Sequence, residues 1–397
     1  MEHIRVESVA AKYIAERLTT EDCTLLDVGC SGGLDIGWRM FGDRLRAIGV
    51  DPSISEVKRL STMETNPKIK YFAAFVGLPE AHPLRQLGRK LTYFRRNVWG
   101  SLSARASIDY HADREPPIPG ELTDLRALEA EETRLLNDLE AQLAEARIDA
   151  PEGGLAAVSS TGVDLLDASE ERRLMAENLW SEATLADDSK TVVLPVLLKD
   201  LKIDSVDFIK IDVDGPDYEI LYSLSETLSS ARVLGAALEI NYMGAETPHH
   251  HTFHNTDRFM RAHGFDLFGL TVRPYASSSL PSPYQLPYAA QTVSGRPLQG
   301  DALYMRNFSM LTSAMGADQF STEKLAKLIA LCALFGLPDQ GAEIVLRFRD
   351  RLSSLIDIDR MLDLLALDIQ PGRPDPRPYE QYMREFRADD PWFFKQL

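Results

Sequence analysis

The chain has 397 residues, of which 44% are hydrophobic and 26% charged, as in ordinary globular proteins of one large or two smaller domains. Its formal net charge of −17 argues against a nucleic-acid partner, because such a chain repels phosphate backbones. The three cysteines show neither metal-ligand nor disulfide spacing, which predicts reduced cytoplasmic thiols. With no signal-peptide pattern and no apolar run near the ~20 residues of a membrane span, we expect a soluble cytoplasmic protein, and peripheral contact with the inner membrane stays open.

The first elements in chain order alternate between strands and helices. Residues 1–18 have the pattern of an amphipathic helix whose apolar side holds Ile4, Val9, Tyr13, Ile14 and Leu18. Short apolar stretches at 24–28, 46–50 and 68–76 then predict three strands, with helical segments between them. This alternation predicts an α/β fold with a parallel sheet.

Residues 82–190 interrupt the alternation. The stretch "REPPIPGE" is typical of a loop, whereas residues 122–147 carry leucines at helical spacing between charged residues. We interpret the whole region as a helical and irregular insertion into the sheet domain. A homodimer formed through the 122–147 helix or through the C-terminal helices stays open.

The strand pattern returns after residue 190. Further strands are predicted at 191–198, 206–212, 231–242 and 300–307. A helix that stops at Gly264 precedes one more strand, and the residues after 307 change to helical patterns and a Pro-rich tail. We therefore predict a domain of residues 1–307 that carries the insertion, and a helical extension of residues 308–397.

A glycine-rich turn, "GCSGG" at residues 29–33, follows the first predicted strand. Glycines let the backbone approach a ligand closely, and a helix that begins after the turn offers unpaired N–H groups. Asp51 ends the second strand, where a carboxylate can accept hydrogen bonds from both hydroxyls of a ribose. Either a dinucleotide or S-adenosylmethionine fits this pattern, although Ser31 occupies the position of the second glycine in a G-x-G-x-x-G motif.

The segment "VDFIKIDVDGPDYEIL" at residues 206–221 makes the pattern more specific. Together with "DVGCSGG" and "GVDPS", it resembles the FkbM-type family of class I S-adenosylmethionine-dependent methyltransferases in order and spacing. The resemblance extends over residues 24–80 and 185–307. The chain departs from the family at Asp214, where glutamate is more common, and at Pro216.

The resemblance implies a Rossmann-like class I methyltransferase fold with a mostly parallel, seven-stranded sheet. It also implies methylation of an oxygen, often a sugar hydroxyl, with polysaccharide biosynthesis as the biological context. The residues expected to hold S-adenosylmethionine are those of the turn and of the neighbouring strand ends: Asp27, Gly29, Cys30, Ser31, Gly33, Asp51, Pro52 and Asp212.

Polar residues also end two later strands, at Asp212, Glu239 and Asn241. Because ligands bind at the carboxyl ends of parallel strands, we expect these three side chains near one another, beside the cofactor. A sugar hydroxyl is a poor nucleophile, so a metal ion or a base has to assist removal of its proton. Two mechanisms stay open: the three residues bind Mg²⁺, which we favour, or Asp212 or a histidine acts as general base. With or without Mg²⁺, we expect Asp212 and Glu239 to be catalytic residues that manage the proton of the hydroxyl.

Two further features accompany these residues. Four histidines lie in "PHHHTFHN", and we expect either a polar loop over the acceptor or a base, with His250 as the candidate catalytic residue and a zinc site as the least favoured alternative. Lys210 is expected to pair with an acid, and Asp214 to cap the following helix.

Two rival functions stay open. An NAD(P)-dependent oxidoreductase would use the same type of sheet, but the missing G-x-G-x-x-G spacing disfavours it. A non-catalytic scaffold that binds S-adenosylmethionine within a biosynthetic complex is disfavoured by the intact set of motifs.

Overall fold

The computed structural model describes the two predicted halves of the sheet domain and most of the C-terminal extension. The described residues are 4–5, 7–78, 191–213, 216–229, 232–242, 251–275, 293, 296–306 and 320–393. The predicted insertion at 82–190 with its helix at 122–147, and also Asp214 and His250, lie outside these residues.

Eight strands form one sheet in the order β3-β2-β1-β4-β5-β8-β6, with β7 paired to β8. Their bounds are β1 Cys23–Val28, β2 Leu45–Asp51, β3 Ile69–Ala73, β4 Phe208–Ile211, β5 Gly235–Asn241, β6 Phe265–Leu270, β7 Arg273–Tyr275 and β8 Arg296–Arg306. Strands β1 to β5 are parallel, whereas β8 is antiparallel to β5, β6 and β7. The predicted α/β fold with a mostly parallel sheet is confirmed, and the short β7 brings the number of strands to eight.

The strands form because their side chains are apolar on both faces, as expected for a sheet covered on two sides. Leu25 and Phe208 contribute to the core on one face, and Leu26 and Ile209 contribute to the core on the other. The order of the strands reverses between β1 and β4, so that a crevice is expected at their carboxyl ends.

The helices cover these faces, and several begin at a side chain that accepts a backbone N–H, such as Ser53 and Asp357. Their bounds are α1 Val9–Ala15, α2 Ile54–Met63, α3 Leu194–Asp200, α4 Asp217–Ser223, α5 Ser225–Ser229, α6 Phe253–Ala262, α7 Thr322–Leu334, α8 Pro338–Arg347, α9 Arg349–Leu352, α10 Ile358–Asp368 and α11 Tyr379–Phe393. A kinked 3-10 segment, Ile36–Arg44, follows the glycine turn. Within the described ranges, no helix combines the length and the apolar character needed to cross a membrane.

Two local predictions are wrong. The stretch 191–198 is not a strand: only Val192 pairs, with Val76, and α3 begins at Leu194. Pro195 lies in the first turn of α3, where its missing N–H costs no hydrogen bond and its fixed φ favours a helix. The apolar face of α1 is also rotated, because Val9 is 57% exposed whereas Ala10 is fully buried.

The C-terminal helices pack on the sheet through a group of charged residues at its amino edge. Asp207 Oδ1 lies 2.6 Å from Lys324 Nζ and 3.0 Å from Lys327 Nζ, both on α7. Asp207 Oδ2 accepts the Thr24 N–H at 2.8 Å, and Lys327 Nζ also lies 2.8 Å from Glu21 Oε2. We call Glu21, Asp207, Lys324 and Lys327 the amino-edge cluster. Helix α7 therefore shares the core of the sheet, while the domain boundary at residue 307 stays a prediction.

Candidate active site

The carboxyl ends of β1, β2 and β4 come together at one level of the sheet. Val28 is paired with Val50 on one side and with Ile211 on the other. The next residues along the three strands are therefore Gly29, Asp51 and Asp212. The register brings together residues that are far apart in the sequence, as the sequence predicted for this crevice.

The first glycine of the turn lies directly against the end of β4. Gly29 has a φ of +83°, which favours glycine, and an added Cβ would lie 1.8 Å from the carbonyl oxygen of Asp212. No side chain fits within that distance, so the turn can contact β4 only because residue 29 is a glycine. Gly32 also has a positive φ, but an added Cβ there would meet no atom within 4 Å.

The backbone N–H groups of the turn are directed at protein acceptors. Gly29 and Cys30 donate to the Val50 carbonyl, Ser31 faces the Asp51 carboxylate, Gly32 donates to Glu56 and Gly33 donates to the Cys30 carbonyl. A pyrophosphate in such a turn depends on N–H groups that are available to it. This turn instead presents its carboxylates, which favour a positively charged ligand.

Lys210 joins the turn to β4. Its Nζ donates to the Gly29 carbonyl at 2.9 Å and lies 3.2 Å from Asp27 Oδ1 and 3.7 Å from Asp212 Oδ2. Burial opposes the charge of this lysine, but the two aspartates outweigh burial and raise the pKa of Lys210. The expectation that Lys210 pairs with an acid agrees with these contacts.

Asp27 is buried beside Lys210, yet one of its oxygens accepts no hydrogen bond. The contact of Oδ1 with Lys210 is an ion pair without the direction of a hydrogen bond, and Oδ1 has no other partner among the described residues. Burial raises the pKa of Asp27 to about 6, and the charge of Lys210 limits the increase. A buried carboxylate oxygen that accepts no hydrogen bond, and whose ion-pair partner Lys210 is shared with Asp212, is a suitable contact for a ligand ammonium.

The remaining predicted cofactor residues lie around the turn. Asp51 is buried and accepts the Ser53 N–H at 2.8 Å, and burial raises the pKa of its carboxyl. Pro52 links Asp51 to this cap of α2. Cys30 is buried, and burial raises the pKa of its thiol, so that it can offer a ligand only its backbone. Ser31 is exposed at the tip of the turn.

Glu239 lies one residue after the pair Ile211 and Leu238, beside Asp212, and belongs to a second polar group. Its Oε1 accepts a hydrogen bond from Gln299 and lies 3.5 Å from Arg273 Nη1. Arg273 also contacts Asp301 Oδ2 at 2.7 Å through Nη2. We call Glu239, Arg273, Gln299 and Asp301 the Arg273 cluster. No local pattern in the sequence indicated Arg273, Gln299 and Asp301, because the antiparallel register of β8 against β5 and β7 brings them to Glu239.

Asn241 contacts a histidine that the sequence placed in a polar loop. The Asn241 amide nitrogen is 3.2 Å from His251 Nδ1, and His251 Nε2 is 3.0 Å from the Glu239 carbonyl. A carbonyl only accepts, so Nε2 carries a proton, whereas Nδ1 faces both the Asn241 amide and Asp217 Oδ2, which is 3.8 Å away. The ring is buried, with both nitrogens engaged by the protein, so His251 serves to orient Asn241.

These contacts bear on the predicted Mg²⁺ site. Glu239 is paired with Arg273, and Asn241 directs its amide nitrogen at His251, whereas the side chain of Asp212 is 37% exposed. In the part of the chain that the structure describes, no group of three or more His, Cys, Asp or Glu residues is arranged to hold a metal. The described residues thus give no support to the Mg²⁺ site.

The acids that follow β4 in the motif have structural contacts. Asp217, at the start of α4, accepts the Val213 N–H at 3.0 Å, and Glu219 accepts the Leu78 N–H at 2.9 Å. The first contact shapes the loop that carries Asp212, and the second holds the segment after β3. This half of the motif therefore fixes the strand ends that form the site.

Comparison with known proteins matches the part of the chain that forms the β4 and β5 side of the site, whereas β1, β2 and the glycine turn lie outside the match. Residues 154–267 match the family model described as the Methyltransferase FkbM domain. The matched residues include β4, β5 and α3 to α6, with Asp212, Glu239 and Asn241, and they begin inside the segment predicted as an insertion. The match confirms the resemblance to the FkbM-type family and indicates a methyltransferase. No curated protein matches the chain.

Proposed function

We propose that this chain, which carries a match to the Methyltransferase FkbM domain, is an S-adenosylmethionine-dependent O-methyltransferase. The proposed acceptor is a sugar hydroxyl of a bacterial surface glycan or of a glycosylated metabolite. The family match supports the transfer of a methyl group, and the site geometry supports the cofactor.

The carrying observation is that the glycine turn is suited to a cation. Its N–H groups already have protein acceptors, and the carboxylates of Asp27, Asp51 and Asp212 outnumber the ammonium of Lys210. S-adenosylmethionine carries an ammonium and a sulfonium, whereas a dinucleotide carries a pyrophosphate that these carboxylates would repel. The same observation disfavours the oxidoreductase.

The residues of the turn fit the cofactor in three respects. Asp27 offers the ligand ammonium a buried carboxylate whose Oδ1 forms an ion pair with Lys210 but accepts no hydrogen bond, Asp51 offers a carboxylate for the ribose hydroxyls, and Gly32 leaves open space beside the turn. When bound, S-adenosylmethionine supplies a methyl group on a positively charged sulfur. The contribution of the chain is to orient the ligand and to manage the proton of the acceptor.

Asp212 is the proposed general base. Its carboxylate is partly exposed at the carboxyl end of β4, and its Oδ2 lies 3.7 Å from Lys210 Nζ. An acceptor hydroxyl that donates to Asp212 can pass its proton there as the oxygen is methylated. The Arg273 cluster lies beside it with carboxylate and amide groups, which suit a ligand with several hydroxyls. Because Glu239 is paired with Arg273, we propose transfer without Mg²⁺.

The test compares ligands and then products. Calorimetry with S-adenosylhomocysteine, S-adenosylmethionine and NADH is expected to give saturable binding for the first two alone. Cell extracts incubated with methyl-labelled cofactor are then analysed for labelled glycans by mass spectrometry. Asp212→Asn is expected to weaken cofactor binding by less than about tenfold, because Asp27 and Asp51 keep their carboxylates, and to slow transfer at least about 100-fold, as for loss of a general base. Binding of NADH alone would refute the proposal, and full transfer by Asp212→Asn would refute the role of the base.

A further inference from the structure

We propose that Lys210 is a positioning residue that ties the glycine turn to Asp212, so that one ammonium fixes the cofactor side of the site relative to the acceptor side. The consequence for catalysis rests on the proposed function, whereas the structural tie does not.

The ammonium of Lys210 has three donors, and three acceptors surround it. It donates to the Gly29 carbonyl in the turn, and its other two neighbours are Asp27, in β1, and Asp212, after β4. The two acids and the carbonyl belong to the strands on either side of the crevice. No other cation in the described part of the chain contacts both Asp27 and Asp212.

Lys210 is buried, so it does not serve as a surface charge. Its side chain is only 15% exposed, and it lies between Ile209 and Ile211, which are fully buried. Burying an ammonium is costly unless it is paired and hydrogen-bonded, so the lysine stabilises the fold only with all of its contacts in place. The same contacts occupy the nitrogen and leave it unsuited to serve as a base.

Loss of the ammonium would act on both sides of the crevice. Asp27 would then lose its ion pair, and its pKa would rise further, because the charge of Lys210 limits the effect of burial. The Gly29 carbonyl and both carboxyl groups would lose the ammonium that they share, so the turn and the Asp212 segment that it contacts are expected to move apart. The position of Asp212 relative to the turn is the quantity that methyl transfer depends on.

The first measurement is hydrogen–deuterium exchange on the ligand-free protein, in peptides that cover residues 27–33. Lys210→Met is expected to exchange at least about tenfold faster there, which corresponds to about 1.4 kcal/mol of lost protection. Lys210→Arg keeps a cation with several donors and is expected to restore most of the protection. Lys324→Met is the matched control, because Lys324 is also buried and paired with an aspartate, but at the amino edge. It is expected to lower Tm without changing exchange at 27–33.

The second measurement separates positioning from stability. For Lys210→Met we expect binding of S-adenosylhomocysteine to weaken about tenfold and kcat to fall about 100-fold, because Asp212 is displaced as well as the turn. Lys210→Arg is expected to keep at least about a tenth of the wild-type kcat. At a temperature where it is folded, Lys324→Met is expected to keep the wild-type Kd and kcat. If Lys210→Met does not fold, Lys210→Gln, which keeps an N–H donor, replaces it.

The outcomes distinguish the two proposals. Wild-type exchange at 27–33 in Lys210→Met would refute the tie, whatever the ligand. Faster exchange with unchanged Kd and kcat would refute the positioning role and leave Lys210 as a structural residue. If the wild-type protein binds no S-adenosylhomocysteine, the proposed function fails, and the exchange data still decide whether Lys210 holds the turn.

Discussion

The two edges of the sheet carry the same kinds of residues and use them differently. At the amino edge, Asp207 and Glu21 meet Lys324 and Lys327, and both oxygens of Asp207 have partners. At the carboxyl edge, acids outnumber the single lysine that contacts them, and Asp27 Oδ1 accepts no hydrogen bond. The first group is balanced in charge within the protein, whereas the second is not.

The difference indicates what each edge is for. A buried ionic group whose atoms are all paired stabilises one arrangement of the chain, here the attachment of α7 to the sheet. In a group with an excess of carboxylates, whose one ammonium is shared between two of them, the protein does not balance the negative charge, and a cationic ligand can offset it. The completeness of a polar network, and not its composition, separates the structural edge from the candidate active site.

The largest expected effect comes from breaking the amino edge. Asp207→Ala leaves Lys324 and Lys327 buried without their shared partner, so the free energy of unfolding is expected to fall by about 3 to 5 kcal/mol. Denaturant titration followed by circular dichroism measures this loss. Cofactor affinity of the folded variant is expected to stay within twofold of the wild type. A loss below about 1 kcal/mol would show that the cluster does not hold α7.

The second-largest effect is expected at the carboxyl edge, where a substitution changes cofactor binding. Asp27→Asn removes the proposed contact for the ammonium, so binding of S-adenosylmethionine is expected to weaken about 30- to 100-fold, or about 2 to 3 kcal/mol. The free energy of unfolding is expected to fall by at most about 2 kcal/mol, less than for Asp207→Ala, because Lys210 keeps its contacts with Gly29 and Asp212. Calorimetry and denaturant titration of the same preparation measure both. Unchanged affinity would show that the ammonium of the cofactor does not contact Asp27.

The sequence predicted the strand ends that form the site, because their signals are local. The apolar run before Gly29 and the position of Asp51 after β2 depend on neighbouring residues alone. The pairing of Glu239 with Arg273 could not be predicted in this way, because it depends on the register of β8 against both β5 and β7. The predicted strand at 191–198 was wrong for a different reason. Its apolar composition suits a strand and a helix equally, and Pro195 decides between them.

The contributions of the two edges to the stability of the folded protein are expected to change with pH in opposite directions. Asp27 has a pKa of about 6, above its ordinary value, so protonation competes with a cationic ligand. Affinity for S-adenosylmethionine is expected to be constant above pH 7 and to fall up to about tenfold per pH unit below 6. Over pH 6 to 4, the same protonation favours the folded state of the ligand-free protein.

Glu323, on α7 at the amino edge, provides the contrast. Burial opposes its charge, but the hydroxyl of Thr19 and the N–H groups of Thr19, Thr20 and Glu21 outweigh burial and lower its pKa to about 2. Its contribution to stability is present above its ordinary pKa and is lost as the pH falls toward 2. Calorimetric titrations and unfolding curves from pH 8 to 3 measure both trends. Affinity that is flat down to pH 5 would contradict the role of Asp27.

The smallest expected effect is that of a chelator. Glu239 is paired with Arg273, so among the three predicted metal ligands Asp212 has the one carboxylate that is not held by an arginine. A hard divalent cation requires several oxygen ligands, which this arrangement does not provide. We therefore expect methyl transfer in EDTA to stay within twofold of the rate in Mg²⁺. If EDTA abolished transfer and Mg²⁺ restored it, the carboxyl edge would be an incomplete metal site, and its excess of carboxylates would have to be assigned to the metal instead of the cofactor.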